Sequence, residues 1–280
     1  MPLSEEQKQQ AQAFAAQIDI GDAMQVLKYG SAAQKKVSRM TSSSLLNIPV
    51  SDLNEIGEDI NAFLVKLKTF EQAVKREKEV DLNTAASWQK YKELSDRLER
   101  QMNETARRLE IHRSSLLRHI SRLEKLYEEI MQIITEFDMY LYAGREYLKV
   151  NAPETLKLLS AQAKDSDTVT DTLRFTDYKE DMAMFEKKLD DLRVSRQLPL
   201  QLLSQIKLME TRDILMGEGL LKLYGDQFSL YRTRILLSLG LQEDEKQSRL
   251  MDKEHLLQAV KDLREACLTV LKIRAQAAEK

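Results

Sequence analysis

The chain has 280 residues, of which only 8 are glycine and 4 are proline. This is too few for the tight turns of a predominantly β protein or for a glycine-rich nucleotide-binding loop. The net charge of -2 excludes a dedicated basic nucleic-acid-binding protein, and a single cysteine excludes a disulfide framework and a cysteine-based zinc site. With a hydrophobic share of 42%, composition predicts a folded, all-α protein.

The first residues show no targeting pattern. Residues 1–6 are acidic, without a basic region followed by an apolar run. No apolar run approaches the roughly 18 residues of a membrane-spanning helix. We therefore expect a cytoplasmic protein with a flexible or frayed segment over residues 1–17 and a single helical domain over residues 18–280.

Short helices are predicted before the long ones. Asp19 and Asp22 can cap a helix that ends near Tyr29, and Gly30 then interrupts the chain. A second helix is expected over residues 32–46, ahead of a proline. From residue 53 to residue 74, apolar residues recur at intervals of three and four, which predicts an amphipathic helix.

The longest feature is an apolar stripe between Trp88 and Leu141. No glycine or proline lies between Gly57 and Gly144, so the stripe predicts one helix of about 60 residues, or about 90 Å. A compact domain of this chain length has a radius of gyration of about 19 Å. We therefore expect an elongated antiparallel bundle of long helices with coiled-coil-like packing, with Gly144 ending the longest helix.

The remaining elements are also predicted to be helical. Pro153 suits the first turn of a short helix that ends near residue 162. A helix is expected from Thr168, and Pro199 either starts a new helix or kinks a continuous one. Gly240 suits a carboxy-terminal cap, and a last amphipathic helix follows it.

The residue types that most often carry chemistry are sparse. His112 and His119 are seven residues apart, or about 10 Å along one helix, so they cannot bind one metal ion by themselves. We interpret both, and His255, as surface or packing residues, and Cys267 as a structural thiol. We predict no catalytic residue, no metal site and no cofactor.

Four cations form the main candidate for an interaction surface. Arg107, Arg118, Arg122 and Lys125 are separated by 11, 4 and 3 residues and therefore share one helical face. This set, called the basic strip below, suits an acidic partner, anionic lipid or another polyanion. Alternatively, its charges pair with carboxylates of a neighbouring helix.

Two tyrosines form a second candidate. Tyr140 and Tyr142 lie just before Gly144. They either pack at a helix end or provide an aromatic contact for a partner, a role for which tyrosine is well suited.

Several segments together resemble the bacterial toxic anion resistance family of TelA-like proteins, in the order of that family. The segments are Ile18–Ile20, Tyr29–Lys36, Leu53–Asp59, His119–Tyr127, Tyr140–Gly144, Phe185–Arg196 and Gln205–Leu208. The resemblance covers most of residues 18–240. It departs at Leu203 and Ser204, where the family commonly has a small residue and proline, and at a short, charged connection over residues 75–84.

The resemblance implies a helical, cytoplasmic stress protein linked to resistance to tellurite and similar agents, in a family without established catalytic residues. We therefore expect a non-enzymatic interaction scaffold in toxic-anion or envelope stress, with protein partners and no nucleic acid. One alternative is a peripheral membrane protein that uses the basic strip on anionic lipid. A third hypothesis is an enzyme or metal-binding protein that acts on the oxyanion.

Overall fold

The computed structural model describes residues 3–43, 53–76, 85–166, 168–238 and 253–278. Within these ranges every regular element is helical, which confirms the predicted all-α class. In chain order the helices are α1 (Glu5–Ala15), α2 (Ala23–Lys28), α3 (Ser31–Ser43), α4 (Leu53–Arg76), α5 (Ala85–Glu146), α6 (Ala152–Ser166), α7 (Val169–Ser195), α8 (Gln197–Leu221), α9 (Phe228–Ser238) and α10 (Lys253–Ala278). Two π-helical turns, Tyr147–Asn151 and Lys222–Gln227, join α5 to α6 and α8 to α9.

Residue contacts divide the chain into two compact units. Unit 1 comprises Met1–Ile48 and Leu123–Lys207, and unit 2 comprises Pro49–Arg122 and Leu208–Lys280. Helices α5 and α8 each contribute residues to both units. The sequence predicted a single domain from residue 18 onwards, whereas the contacts divide this stretch in two.

Helix α1 lies in the segment that was expected to be flexible or frayed. Its start is a capping box, in which the Gln7 backbone N–H donates to Ser4 Oγ at 3.2 Å and the Ser4 backbone N–H donates to Gln7 Oε1 at 2.9 Å. Ala11 and Ala15 are buried within unit 1. The small alanine side chains allow α1 to pack closely, and this packing distinguishes it from the flexible or frayed segment that was expected.

The predicted interruption after α2 is confirmed. Asp22 caps α2, because its Oδ1 accepts from the backbone N–H groups of Met24 and Gln25 at 2.9 and 3.3 Å. Gly30 then adopts a φ of 66°, in the left-handed region that favours glycine. A Cβ atom at Gly30 would lie 2.6 Å from the Leu192 side chain, so close packing at this position also requires a residue without a side chain.

Helix α5 is the predicted long helix, with 62 residues. The prediction that Gly144 ends it is wrong, because α5 continues to Glu146 and leads through a π-helical turn into α6. A Cβ atom at Gly144 would lie 2.4 Å from Leu189 of α7. Gly144 therefore serves the close approach of two helices rather than helix termination.

Pro199 is the third residue of α8, which begins at Gln197. The first turn of a helix has backbone N–H groups without intrahelical acceptors, so proline is tolerated there. Pro199 therefore starts a helix instead of kinking one. The predicted cap at Gly240 and residues 77–84 of the predicted connection lie outside the described residues.

Unit 2 has a large apolar core built by α4, α5, α8, α9 and α10. Phe63 of α4 meets Phe228 of α9 with ring centroids 5.2 Å apart, and both are fully buried. Cys267 of α10 belongs to the same core, where burial raises the pKa of its thiol to about 12. A thiol in this environment is neutral and packs as a small apolar group.

Candidate functional site

Four aromatic side chains of unit 1 pack into one group, called the aromatic cluster below. Phe14 of α1 stacks beside Tyr29 with ring centroids 6.0 Å apart, and Tyr140 of α5 meets these two rings edge-on at 5.9 and 5.3 Å. Phe185 of α7 approaches Tyr29 edge-on at 5.0 Å. Each such pair contributes about 0.5–1.5 kcal/mol beyond its buried area. The aromatic cluster therefore stabilises the packing of α1, α5 and α7 around the α2–α3 junction.

Tyr29 lies at the centre of the aromatic cluster. Its hydroxyl donates a hydrogen bond to the backbone carbonyl of Tyr140 at 2.6 Å. Burial, and to a lesser extent the neighbouring Tyr140, raises the pKa of Tyr29 well above its usual range. The hydroxyl is therefore protonated at physiological pH, and the hydrogen bond to α5 persists.

A pocket of about 300 Å³ opens beside the aromatic cluster, and all of its lining residues belong to unit 1. The four rings form part of the wall, and the chain between residues 17 and 30 supplies the rest, including Asp19, Asp22, Met24 and Lys28. Phe14 is 40% exposed and Met24 is 54% exposed. These two side chains present apolar surface where the pocket meets solvent. We call this site the aromatic pocket.

The carboxylates of the aromatic pocket are held by backbone hydrogen bonds. Asp19 Oδ1 accepts from the Gly21 backbone N–H at 3.0 Å, and Asp22 Oδ1 caps α2 as described above. Each carboxylate is therefore fixed in place by its own turn. A fixed charge beside an aromatic wall is suited to recognition, because little conformational freedom is lost on binding.

Negative charge accumulates next to the aromatic pocket. Burial raises the pKa of Asp181 on α7, and the neighbouring carboxylates Asp177 and Asp19 raise it further. Nearby negative charge disfavours the ionised form of a carboxyl group. Asp177 and Asp181 thus place further carboxylates near Asp19.

Two polar pairs fasten the helices around the aromatic cluster. Arg196 forms an ion pair with Asp138 of α5, in which Nη2 donates to Oδ2 at 2.9 Å and Nε lies 2.6 Å from Oδ1. Gln34 of α3 donates through Nε2 to Ser195 Oγ of α7 at 2.9 Å. A hydrogen bond between two charged groups is stronger than one between neutral groups. The geometry of the site is therefore set by contacts between segments far apart in the sequence.

The predicted aromatic contact is placed at this site in part. Tyr140 belongs to the aromatic cluster and lines the aromatic pocket. Tyr142 lies against α1 instead, where its hydroxyl accepts from Gln12 Nε2 at 3.3 Å. Sequence reasoning missed Phe14 and Tyr29, and a signal was available: Tyr29 directly precedes a glycine at a helix junction.

All four residues of the basic strip are exposed on α5, with Arg107, Arg118 and Arg122 in unit 2 and Lys125 in unit 1. None of the four forms an ion pair with another residue in the part of the chain that the structure describes. The pairing with carboxylates of a neighbouring helix, which was the alternative interpretation, is therefore not seen among these residues. Ile111, which is 66% exposed, lies on the same helical face.

His119 lies in a buried polar cluster of unit 2 rather than at a surface. Its Nδ1 is hydrogen bonded to Asp213, which is fully buried, and Arg212 Nη2 lies 2.9 Å from Asp213 Oδ1. Burial by itself would raise the pKa of Asp213, but the hydrogen bonds from His119 and Arg212 outweigh it and lower the pKa overall. This arrangement fits the packing role predicted for His119 and adds the charged partner that the prediction lacked.

His112 has a similar carboxylate partner. Its Nε2 lies 3.0 Å from Asp59 Oδ2, and Arg108 Nη1 donates to Asp59 Oδ1 at 3.1 Å.

Among the described residues, no three histidine, cysteine, aspartate or glutamate side chains are grouped in a way that could hold a metal ion. No helix of the same residues is both long and apolar enough to cross a membrane.

Fold and site together define a class of helical protein in which a small pocket combines aromatic walls with fixed carboxylates. The chain belongs to the toxic anion resistance (TelA) family, whose model matches residues 11–277. The family predicted from the resemblance is thereby confirmed.

Curated relatives from several bacteria are similar over most of the chain. A TelA-like protein of Staphylococcus epidermidis is 23% identical over 247 residues, which cover 86% of this chain and 66% of the relative. YaaN of Bacillus subtilis is 25% identical over 252 residues, covering 85% and 64% of the two chains. Lmo1967 of Listeria monocytogenes is 27% identical over 257 residues, covering 85% and 61%. The chain thus spans less than two thirds of the length of these relatives.

A solved structure of similar fold is that of soluble AhlC of the tripartite α-pore-forming toxin AHL from Aeromonas hydrophila. It aligns with a TM-score of 0.50 over 96% of this chain and 95% of that chain, at 12% sequence identity. The likeness agrees with the all-helical fold and concerns the fold alone.

Proposed function

We propose that this protein is a non-enzymatic scaffold in resistance to toxic anions such as tellurite, and that the aromatic pocket of unit 1 is where it binds a protein partner. Membership of the TelA family supports the link to toxic anions. The observation that carries the binding role is the aromatic pocket itself, with its partly exposed rim of Phe14 and Met24. Aromatic residues that become desolvated when a partner binds are enriched among those that dominate interface binding energy.

The polar groups of the aromatic pocket support binding rather than catalysis. The Tyr29 hydroxyl donates to a backbone carbonyl, and Asp19 and Asp22 accept backbone N–H groups. Each group thus shapes the local backbone. A general acid or base must instead transfer its proton to a reacting atom during turnover.

Growth on tellurite of cells that depend on this protein tests the proposal. Phe14→Ala removes the exposed ring of the aromatic pocket, and we expect a clear loss of survival with soluble, helical protein. Phe175→Ala is the matched control, because Phe175 is a partly exposed ring of α7 that does not line the pocket. Equal survival of the two variants would contradict the proposed site.

A second candidate function is attachment to an anionic membrane surface through the basic strip. The observation that favours it is the exposure of Arg107, Arg118 and Arg122 around the exposed Ile111 on one face of α5. Basic residues near anionic lipid contribute about 1 kcal/mol each, and salt screens this attraction. Co-sedimentation with phosphatidylserine vesicles at low salt, lost at high salt and in an Arg118→Glu variant, is the expected result if this function is correct.

A further inference from the structure

We propose that the aromatic pocket receives a cationic side chain, the ammonium of lysine or the guanidinium of arginine, from the partner protein. This inference rests on the proposed function, because it names the chemistry by which the partner is recognised. Its first basis is the wall. Phe14, which is 40% exposed, and the partly exposed Tyr140 are its accessible rings, and aromatic rings attract organic cations.

The second basis is charge. Two carboxylates, Asp19 and Asp22, line the aromatic pocket, whereas Lys28 is the one cation among its lining residues in the described part of the chain. Asp177 and Asp181 add negative charge close to Asp19. The net charge around the pocket is therefore negative although the whole chain is nearly neutral, and a cation bound in the pocket offsets this charge.

The third basis is size. A volume of about 300 Å³ lies at the lower end of the range of small-molecule sites, roughly 300–1,000 Å³. Such a pocket suits one long side chain better than a large cofactor. The exposed Met24 at the rim can adapt to the alkyl stem of lysine or arginine, because methionine side chains are flexible and polarisable.

The test uses the full chain with methyl-labelled methionine, and the Met24 signal, assigned with a Met24→Leu variant, reports binding. The probes are capped five-residue peptides of glycine and alanine with one variable central residue: lysine, arginine, glutamate or the neutral norleucine. We expect the two cationic peptides to bind about tenfold more tightly than the norleucine peptide. We expect no binding of the glutamate peptide.

Removing a negative charge or a positive charge from the pocket lining should change the affinity for the cationic peptides in opposite directions. Asp19→Asn with Asp22→Asn keeps both side-chain oxygens that accept from backbone N–H groups, since asparagine is also a good helix cap. This double variant should weaken the binding of the cationic peptides by about fivefold or more. Lys28→Gln should strengthen them. The matched control is Asp190→Asn, which removes an exposed carboxylate of α7 that does not line the pocket, and should leave affinity unchanged.

Three results would overturn the inference. The norleucine peptide could bind as tightly as the cationic peptides, which would mean an apolar site. The double asparagine variant could retain full affinity, which would mean that the carboxylates do not recognise the ligand. Tetramethylammonium could bind while no peptide does, which would assign the pocket to free small cations.

The outcomes for the proposed function and for this inference are separable. Selective binding of the cationic peptides, together with normal tellurite survival of Phe14→Ala cells, would support the pocket chemistry and contradict the proposed function. Loss of survival in Phe14→Ala cells without any preference for cationic peptides would do the reverse.

Discussion

The buried cluster around Asp213 allows a sharp test of what stabilises unit 2. Replacing Asp213 by alanine leaves Arg212 and the buried His119 without their shared acceptor. Removal of one partner from a buried charged pair typically costs about 3–5 kcal/mol. We expect Asp213→Ala to lower the free energy of unfolding by that amount, which corresponds to a fall in melting temperature of roughly 10 °C.

Asp213→Asn separates charge from hydrogen bonding. The amide oxygen can still accept one hydrogen bond, so we expect a smaller loss than in the alanine variant, about 1–3 kcal/mol. The control is Asp96→Ala, which removes an exposed aspartate of α5 in unit 2 and should change stability by less than about 0.5 kcal/mol. Urea unfolding followed by circular dichroism compares the three variants with the wild type. If Asp213→Ala is no less stable than Asp96→Ala, the cluster is not a stabilising element and the reasoning fails.

The pH dependence of the same cluster has a defined sign. The pKa of Asp213 is lowered from its ordinary value of 3.8 by its hydrogen bonds with His119 and Arg212, despite its burial. A lowered pKa contributes stability above the unfolded-state value, and this contribution is lost as the pH falls through the folded-state value. The stability difference between the wild type and Asp213→Asn should therefore be largest above about pH 4 and shrink in stronger acid. A difference that grows on acidification would contradict the assignment.

Three other predictions follow from packing and charge. Gly144→Ala should destabilise the protein by about 1–3 kcal/mol through overpacking against Leu189, as measured by urea unfolding. In the double variant, Leu189→Ala should relieve part of this loss. Strictly additive effects of the two substitutions on the free energy of unfolding would contradict the contact. Burial raises the pKa of Cys267 from 9.0 to about 12, so the stability that this thiol contributes below pH 9 should be lost as the pH rises. At pH 10.5 we expect the free energy of unfolding of the wild type to have fallen by about 2 kcal/mol relative to that of Cys267→Val. Parallel pH profiles of the two proteins would refute this. Combined charge reversal of Arg118 and Arg122 should leave the melting temperature nearly unchanged, because neither forms an ion pair with another described residue; a large fall would indicate a buried partner.

Elements whose formation depends on local periodicity were predictable from the sequence. The apolar residues of α4 recur at intervals of three and four, and residues such as Ile56, Ile60, Phe63 and Leu67 are all buried. The same rule predicted α5, because an apolar stripe without glycine or proline indicates one continuous helix. The start of α3 after Gly30 was also predictable, since a positive φ at glycine is a local property.

Features that depend on long-range contacts were not predictable in this way. Gly144 was interpreted as a helix breaker, but its role is set by Leu189, which lies 45 residues further along the chain. Phe14 lies in a polar segment whose helix is stabilised by packing, so no local pattern marks it as part of a site. Asp213 did leave a signal, because it occupies a core-facing position between Ile206 and Met216 in the apolar stripe of α8.

The segments that resemble the TelA family gain a physical meaning from their contacts in unit 1. The Tyr29 hydroxyl, next to Gly30, bonds to the Tyr140 carbonyl, and Gly30 itself faces Leu192. Three of the resembling segments, Tyr29–Lys36, Tyr140–Gly144 and Phe185–Arg196, are thus mutually dependent, because each supplies a group that another requires at close range. Together these contacts fix the geometry of the wall of the aromatic pocket. At this wall the backbone is therefore fixed twice over, by a positive φ that glycine adopts freely and by a buried hydroxyl that donates to a carbonyl of another helix.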